Sequence, residues 1–198
     1  MQDDRANLLI GAGGHAAGVV DVLARSGYRL SAYVDAVRAD WLSPYGDPVQ
    51  YEDDAAAIAA FGAATARVFV GLGGVSPRAL KRRLEIFYRY EAAGFDAPKI
   101  CHPDTTIAAS AAVESGATLL ARAVVQPFAE IGKGAIVNTG AIVEHHATIG
   151  AGAHIAPGAV VLGGASIGDC ALVGANAVVL PQAVVADGDV VPAGARFQ

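Results

Sequence analysis

The sequence predicts a two-part protein: a small βαβαβ unit of parallel strands, then a parallel β-solenoid of about five coils, with the boundary near residue 100. Three observations predict it. A glycine-rich turn joins an apolar run to a helical stretch near the start, short apolar runs alternate with helical stretches up to Phe95, and a six-residue period takes over at Ile107. The domains drawn this way are residues 1–100 and 101–198.

In the first part, Leu8-Leu9-Ile10 reads as a strand ending in Gly11, Gly13 and Gly14, and a helix is expected from about His15 to Ser26 before Gly27. A second strand covers about Leu30 to Val34 and ends at Asp35. The Ala-rich segment Ala55 to Phe61 reads as a helix, and Val68-Phe69-Val70 as the third strand. Ser76-Pro77 then has the chemistry of a helix start, and Leu80, Leu84 and Phe87 form one apolar stripe of a helix that stops near Gly94. Its basic residues Arg78, Lys81, Arg82 and Arg83 could approach a diphosphate, and read first as a solvated face.

In the second part every sixth residue from Ile107 to Val191 is Ile, Val or Leu, fifteen positions without a break. The residue four further on is Ala from Ala111 to Ala195, with Asp189 as the exception. A helix repeats near 3.6 and a flat strand at 2, so neither gives this pattern. A triangular coil does, because each hexapeptide contributes one inward aliphatic residue and one corner where only a small side chain fits, and three hexapeptides close a turn.

Composition narrows the function. The chain is 54% hydrophobic but only 7% aromatic, as expected of tightly spaced repeats rather than of large aromatic cores. A net charge of −5 excludes the clustered cations by which proteins hold nucleic acids or anionic membranes, so a small substrate is expected. Two cysteines, Cys101 and Cys170, are too few for a disulfide framework and read as small packing residues of a reducing compartment. The opening Met1 to Arg5 carries acid without a signal-type cleavage pattern, and the uncharged run from Gly150 to Gly168 is broken by Gly, Pro and His. Neither reads as a targeting or membrane segment, and a cytoplasmic protein is expected.

Gly11-Ala12-Gly13-Gly14-His15 after a strand, with Asp35 ending the next strand, has the layout of a nucleotide site. Glycines permit close backbone approach, a helix N-terminus attracts anionic oxygens, and a carboxylate can accept from ribose or base. The chain turns to hexapeptides before a second mononucleotide half could form, so a complete dinucleotide site is not expected. In the solenoid the polar breaks are Asn138, Glu144, His145, His146 and His154. His145 and His154 are nine residues apart, half of an eighteen-residue coil, which places them on different sides of the prism.

With its hexapeptides and its Gly-x-Gly-Gly-His start, the chain resembles the hexapeptide-repeat acyltransferases. Within them it is similar to the nucleotide-linked 4-amino-sugar N-acetyltransferases and the sialic acid O-acetyltransferase group. The resemblance implies a left-handed coil, a Rossmann-like first domain, a homotrimer, and acetyl-CoA as co-substrate with no metal. It implies Gly13, Gly14, His15 and Asp35 as nucleotide contacts and Asn138 near the acceptor sugar. His145 would be the general base with Glu144 beside it, and His154, Gly163 and Ala175 would contact the acetyl-CoA, the Gly163 N–H facing the oxyanion.

Three departures are visible. Ala36 stands where the family often has a second acid, His146 stands where an acid often follows the base, and only Phe197 and Gln198 follow Arg196 where members usually continue into a CoA-enclosing tail. The activity expected is N-acetylation of a nucleotide-linked amino-dideoxy sugar, UDP first, for surface glycan synthesis. O-acetylation of sialic acid, a zinc hydratase using His145, His146 and His154, and a non-catalytic sugar-binding scaffold are the alternatives.

Overall fold

The computed structural model describes residues 4–198, so the first three residues of the Met1 to Arg5 segment lie outside it. Two compact units result, one formed by Met1–Gly73 with Glu85–Pro98 and the other by Gly74–Leu84 with Lys99–Gln198.

The first unit is a parallel sheet of β1 (Ala6–Ile10), β2 (Ala32–Val34), β3 (Val49–Tyr51) and β4 (Ala66–Val70) in the order β3-β2-β1-β4. Helices α1 (Gly14–Arg25) and α2 (Asp54–Ala60) connect strands, and Asp53 caps α2 by accepting the Ala56 N–H at 2.8 Å. A short 3₁₀ helix at Asp40–Tyr45 and the strand β3 were not expected from the sequence. Val49-Gln50-Tyr51 is a half-exposed edge strand of only three residues, too short for a periodic signal. β2 is also shorter at its start than expected, and β4 begins two residues earlier.

Helix α3 (Pro77–Ala92) starts at the expected Ser76, whose Oγ accepts the Ala79 N–H at 3.3 Å. Its residues through Leu84 count with the second unit and those from Glu85 with the first. Arg78, Lys81 and Arg82 are exposed, but Arg83 corrects the expected solvated face. Its side chain is buried, its Nη1 donates to the Gly134 carbonyl, and burial pushes its pKa down to about 10.

The second unit is a parallel β-helix. Two-residue strands recur every six residues from Ile100–Cys101 to Arg196–Phe197 and pair with partners eighteen residues away, as Ile142 with Val160, forming one five-stranded and two six-stranded sheets. The array is thus longer than expected at both ends, with Cys101 and Phe197 in the inward file. The aliphatic and alanine files fill the interior, and most of their members are fully buried. From Val113 onward the third residue after each inward aliphatic turns the corner with a left-handed backbone. Glycine holds many of these corners; Arg122, Phe128, His146, Cys170, Asn176 and Gln182 hold others at φ of 54 to 62°.

The three outer faces differ. Thr118, Ile136, His154 and Leu172 lie buried on one, where Leu80 packs on Ala156 and Leu172. Val124, Ile142, Val160 and Val178 form a half-exposed aliphatic file on the second. Ala112, Glu130, Thr148 and Ser166 make most of the third small or polar, with Val184 exposed at its end.

Candidate active site

In the first unit the loop after β1 is pressed against the end of β4. A Cβ on Gly11 would lie 2.4 Å from Leu72, and one on Gly71 would lie 2.4 Å from the Gly11 carbonyl oxygen. Gly11 also has φ +86°, so both contact and conformation require glycine. Gly13 and Gly14 are instead exposed and open, with nothing within 4 Å of where a Cβ would stand. No side chain caps α1 at Gly13, so the amides of its first turn face outward at a helix N-terminus. This is the carboxyl end of the strands, at the point between β1 and β4 where strand order reverses.

Asp35 holds the loop. One carboxylate oxygen accepts the Ala12 N–H at 2.8 Å and the other accepts the Val37 N–H at 2.9 Å. His15 is half-buried, its Cβ against Gly73. The sequence reading missed Trp41, which lies in the unexpected 3₁₀ helix. Its indole N–H donates to the Ala12 carbonyl at 3.1 Å while the ring remains 38% exposed beside the glycine loop.

In the second unit His145 stands at the corner between the aliphatic file and the polar face. Gly163 occupies the same corner one coil later, and a Cβ there would lie 2.7 Å from His145 Cε1 and 2.8 Å from Nε2. The imidazole therefore lies directly on the Gly163 backbone. At several equivalent corners the outward N–H is capped by a side chain, as Asp169 does for Ala151 at 2.7 Å, or is absent because proline stands there, as at Pro127 and Pro181. Among the described residues, no group accepts the Gly163 N–H. An exposed imidazole and an uncommitted amide donor are thus neighbours, the pair that proton removal and oxyanion stabilisation need.

Glu144 reaches the backbone N–H of His145 at 3.4 Å. The His145 ring instead meets His146, Nδ1 to Nδ1 at 3.1 Å, and His146 stacks on Phe128 with centroids 5.0 Å apart. Phe128 and His146 could have been found from sequence as non-glycine residues at left-handed corners of adjacent coils.

His154 is on a different sheet from the strand that precedes His145, as the half-coil spacing predicts. It is buried, its Nδ1 donates to the Gly74 carbonyl at 2.7 Å, and its Nε2 accepts from Asn138 Nδ2 at 3.0 Å. Desolvation holds its pKa below the usual histidine value. Asn138 Oδ1 takes the Thr139 N–H at 2.8 Å, so one amide hydrogen of Asn138 stays available. Ala175 packs half-buried against the cluster of Leu80, Ala156 and Leu172. The site residues thus gather as Gly13, Gly14, His15 and Asp35 in one unit, and in the other as His145 with Glu144 and Gly163, and as His154 with Asn138. No group of three or more His, Cys, Asp or Glu side chains converges to hold a metal among the described residues.

Residues 128–163 match the bacterial transferase hexapeptide family, and residues 8–82 match the PglD N-terminal domain family. The acetyltransferase domain of PglB from Neisseria gonorrhoeae is 30% identical and superposes with a TM-score of 0.87, over 98% of this chain and 91% of that one. This chain belongs to the hexapeptide-repeat acyltransferases.

As in that family, the coil is a left-handed β-helix and the chain is an acetyltransferase. The PglB domain has also been solved in complex with acetyl coenzyme A, at 29% identity and a TM-score of 0.85, over 98% of this chain and 93% of that one. A perosamine N-acetyltransferase from Caulobacter crescentus, a variant with one histidine replaced by asparagine, was solved with CoA and GDP-perosamine. It is 28% identical with a TM-score of 0.86, over 98% of this chain and 88% of that one. A search of curated protein sequences gives no match.

Proposed function

We propose that this acetyltransferase moves the acetyl group of acetyl-CoA onto the amino group of a nucleotide-linked amino-dideoxy sugar, with His145 as general base. The observation that carries this is the exposed His145 imidazole lying on Gly163, whose N–H no group among the described residues accepts. The acceptor nitrogen attacks the thioester carbonyl carbon while His145 Nε2 takes its proton, and the Gly163 N–H donates to the oxyanion of the tetrahedral intermediate. The intermediate then collapses with loss of the C–S bond, and His145 returns the proton to the CoA thiolate. A neutral imidazole can take a proton and give it back, so one side chain serves both transfers. The thioester is already activated, so no acyl-enzyme is required.

The open amides at Gly13 and Gly14 would take the diphosphate, with His15 and Asp35 at its side. The neighbouring Caulobacter enzyme, solved with GDP-perosamine, supports a nucleotide-linked sugar. UDP-linked and GDP-linked amino sugars are the two acceptors to compare, and surface glycan assembly is the setting that consumes such products. His154 fixes the Asn138 amide, and this pair with Ala175 completes the acetyl-CoA and sugar contacts.

The aliphatic file Val124, Ile142, Val160 and Val178 supports a homotrimer closed through that face, with His145 at its rim. No helix among the described residues is long and apolar enough to cross a membrane, and acetyl-CoA supply favours the cytoplasm. A thiol-release assay with acetyl-CoA and UDP- or GDP-linked 4-amino sugars tests the reading. Acceptor-dependent release that His145→Ala abolishes supports it; release with sialic acid alone would favour O-acetylation.

A further inference from the structure

The position after the base holds a second imidazole, and its geometry is constrained from several directions. His146 has a left-handed backbone at φ 59°, its N–H donates to the Pro127 carbonyl at 3.1 Å, and its ring lies on Phe128 at an interplanar angle of 29°. These contacts hold its Nδ1 at 3.1 Å from His145 Nδ1. The Glu144 carboxylate meets the backbone N–H of His145. We propose that His146 is the positioning residue for His145, accepting the His145 Nδ1–H so that Nε2 carries the lone pair that takes the substrate proton. This rests on the reading of His145 as the base.

The proton count follows from the contact. Between two facing Nδ1 atoms a hydrogen bond needs one hydrogen, so one ring donates and the other accepts. For Nε2 of His145 to act as a base, its Nδ1 must carry the hydrogen, and His146 must present a bare Nδ1 and carry its own hydrogen on Nε2. An incoming amine that donates to His145 Nε2 selects this arrangement. One added proton removes it by either route. On His145 it occupies Nε2 directly. On His146 it turns Nδ1 into a donor and forces His145 into the tautomer with hydrogen on Nε2. Only the doubly neutral pair is active, so the first proton on either ring already inhibits, and the dependence on protons becomes second order only once both rings can be protonated.

Few other charges intervene. Glu144 is the titratable group beside the pair on its own coil, and the adjacent coils present Pro127 and Phe128 on one side and Gly163 and Gly164 on the other, none of which titrates.

The test is the pH dependence of kcat in wild type, His146→Asn, His146→Ala and His145→Ala. Asparagine places a non-titrating acceptor oxygen where His146 has Nδ1 and tolerates left-handed backbone, so that variant keeps both fold and acceptor. Below both protonation steps of the pair, the acid limb of log kcat should be one unit less steep in His146→Asn than in wild type, with plateau kcat within about threefold. His146→Ala should lose roughly 10- to 100-fold in plateau kcat at unchanged KM. Equal slopes in wild type and His146→Asn, or wild-type kcat in His146→Ala, would overturn the pair. Full activity in His145→Ala would instead overturn the base assignment, and this inference with it.

Discussion

His154 sits on an outward strand position, yet its ring is buried between the Gly74 carbonyl and the Asn138 amide. Burial lowers its pKa in the folded chain, so the unfolded chain binds the extra proton first. Its contribution to stability is therefore complete above the unfolded value of about 6.5 and declines as pH falls toward the folded value, with a slope of up to about 1.4 kcal/mol per pH unit. Denaturant titrations from pH 8 to 5 should show this loss in wild type and a smaller one in His154→Asn. At Gly163, alanine would put a methyl carbon 2.7 Å from His145 Cε1. Gly163→Ala should therefore displace the imidazole and cut kcat about 10- to 100-fold in a folded protein, as steady-state kinetics will show. Gly163 was expected from the family resemblance, and the eighteen-residue coil accounts for its place against His145. The burial of His154 was not, since its cover comes from Gly74, eighty residues away.

Among the elements, the coil was the most legible because its two inward files repeat without noise for fifteen hexapeptides. Each inward Val or Ile touches its counterparts in neighbouring coils, so Val143→Ala opens a gap at a fully buried position. It should cost about 2 kcal/mol, read as a lower urea midpoint at unchanged helical content. The ends of the array were misjudged because Cys101 and Phe197 are not Ile, Val or Leu, although both occupy the inward file. In the first unit β1, α1 and α3 were found by apolar runs and cap chemistry. The edge strand β3 and the 3₁₀ helix carrying Trp41 were missed, as their three and six residues are too few to show a period. Arg83 was misplaced for a related reason: a basic run predicts solvent for the group, while packing in the second unit selects one member for burial against Gly134.

For the whole molecule, the change from alternating strands and helices to a hexapeptide coil was visible in the sequence, and the two family matches fall one in each part, at residues 8–82 and 128–163. The half-exposed aliphatic file is the surface on which the proposed trimer depends. Ile142→Lys, at its centre, should yield monomers by light scattering and lose activity, while leaving the coil folded by circular dichroism. The central claim is direct acetyl transfer with His145 as base, and its most direct measurement is thiol release from acetyl-CoA with UDP- and GDP-linked 4-amino sugars, comparing wild type with His145→Ala. Acceptor-dependent thiol release is expected with at least one of these sugars, matched by one acetylated amine per thiol, and a loss of roughly 100-fold or more in kcat in the variant. Undiminished transfer by His145→Ala, or no transfer to either sugar by a folded wild-type protein, would contradict it.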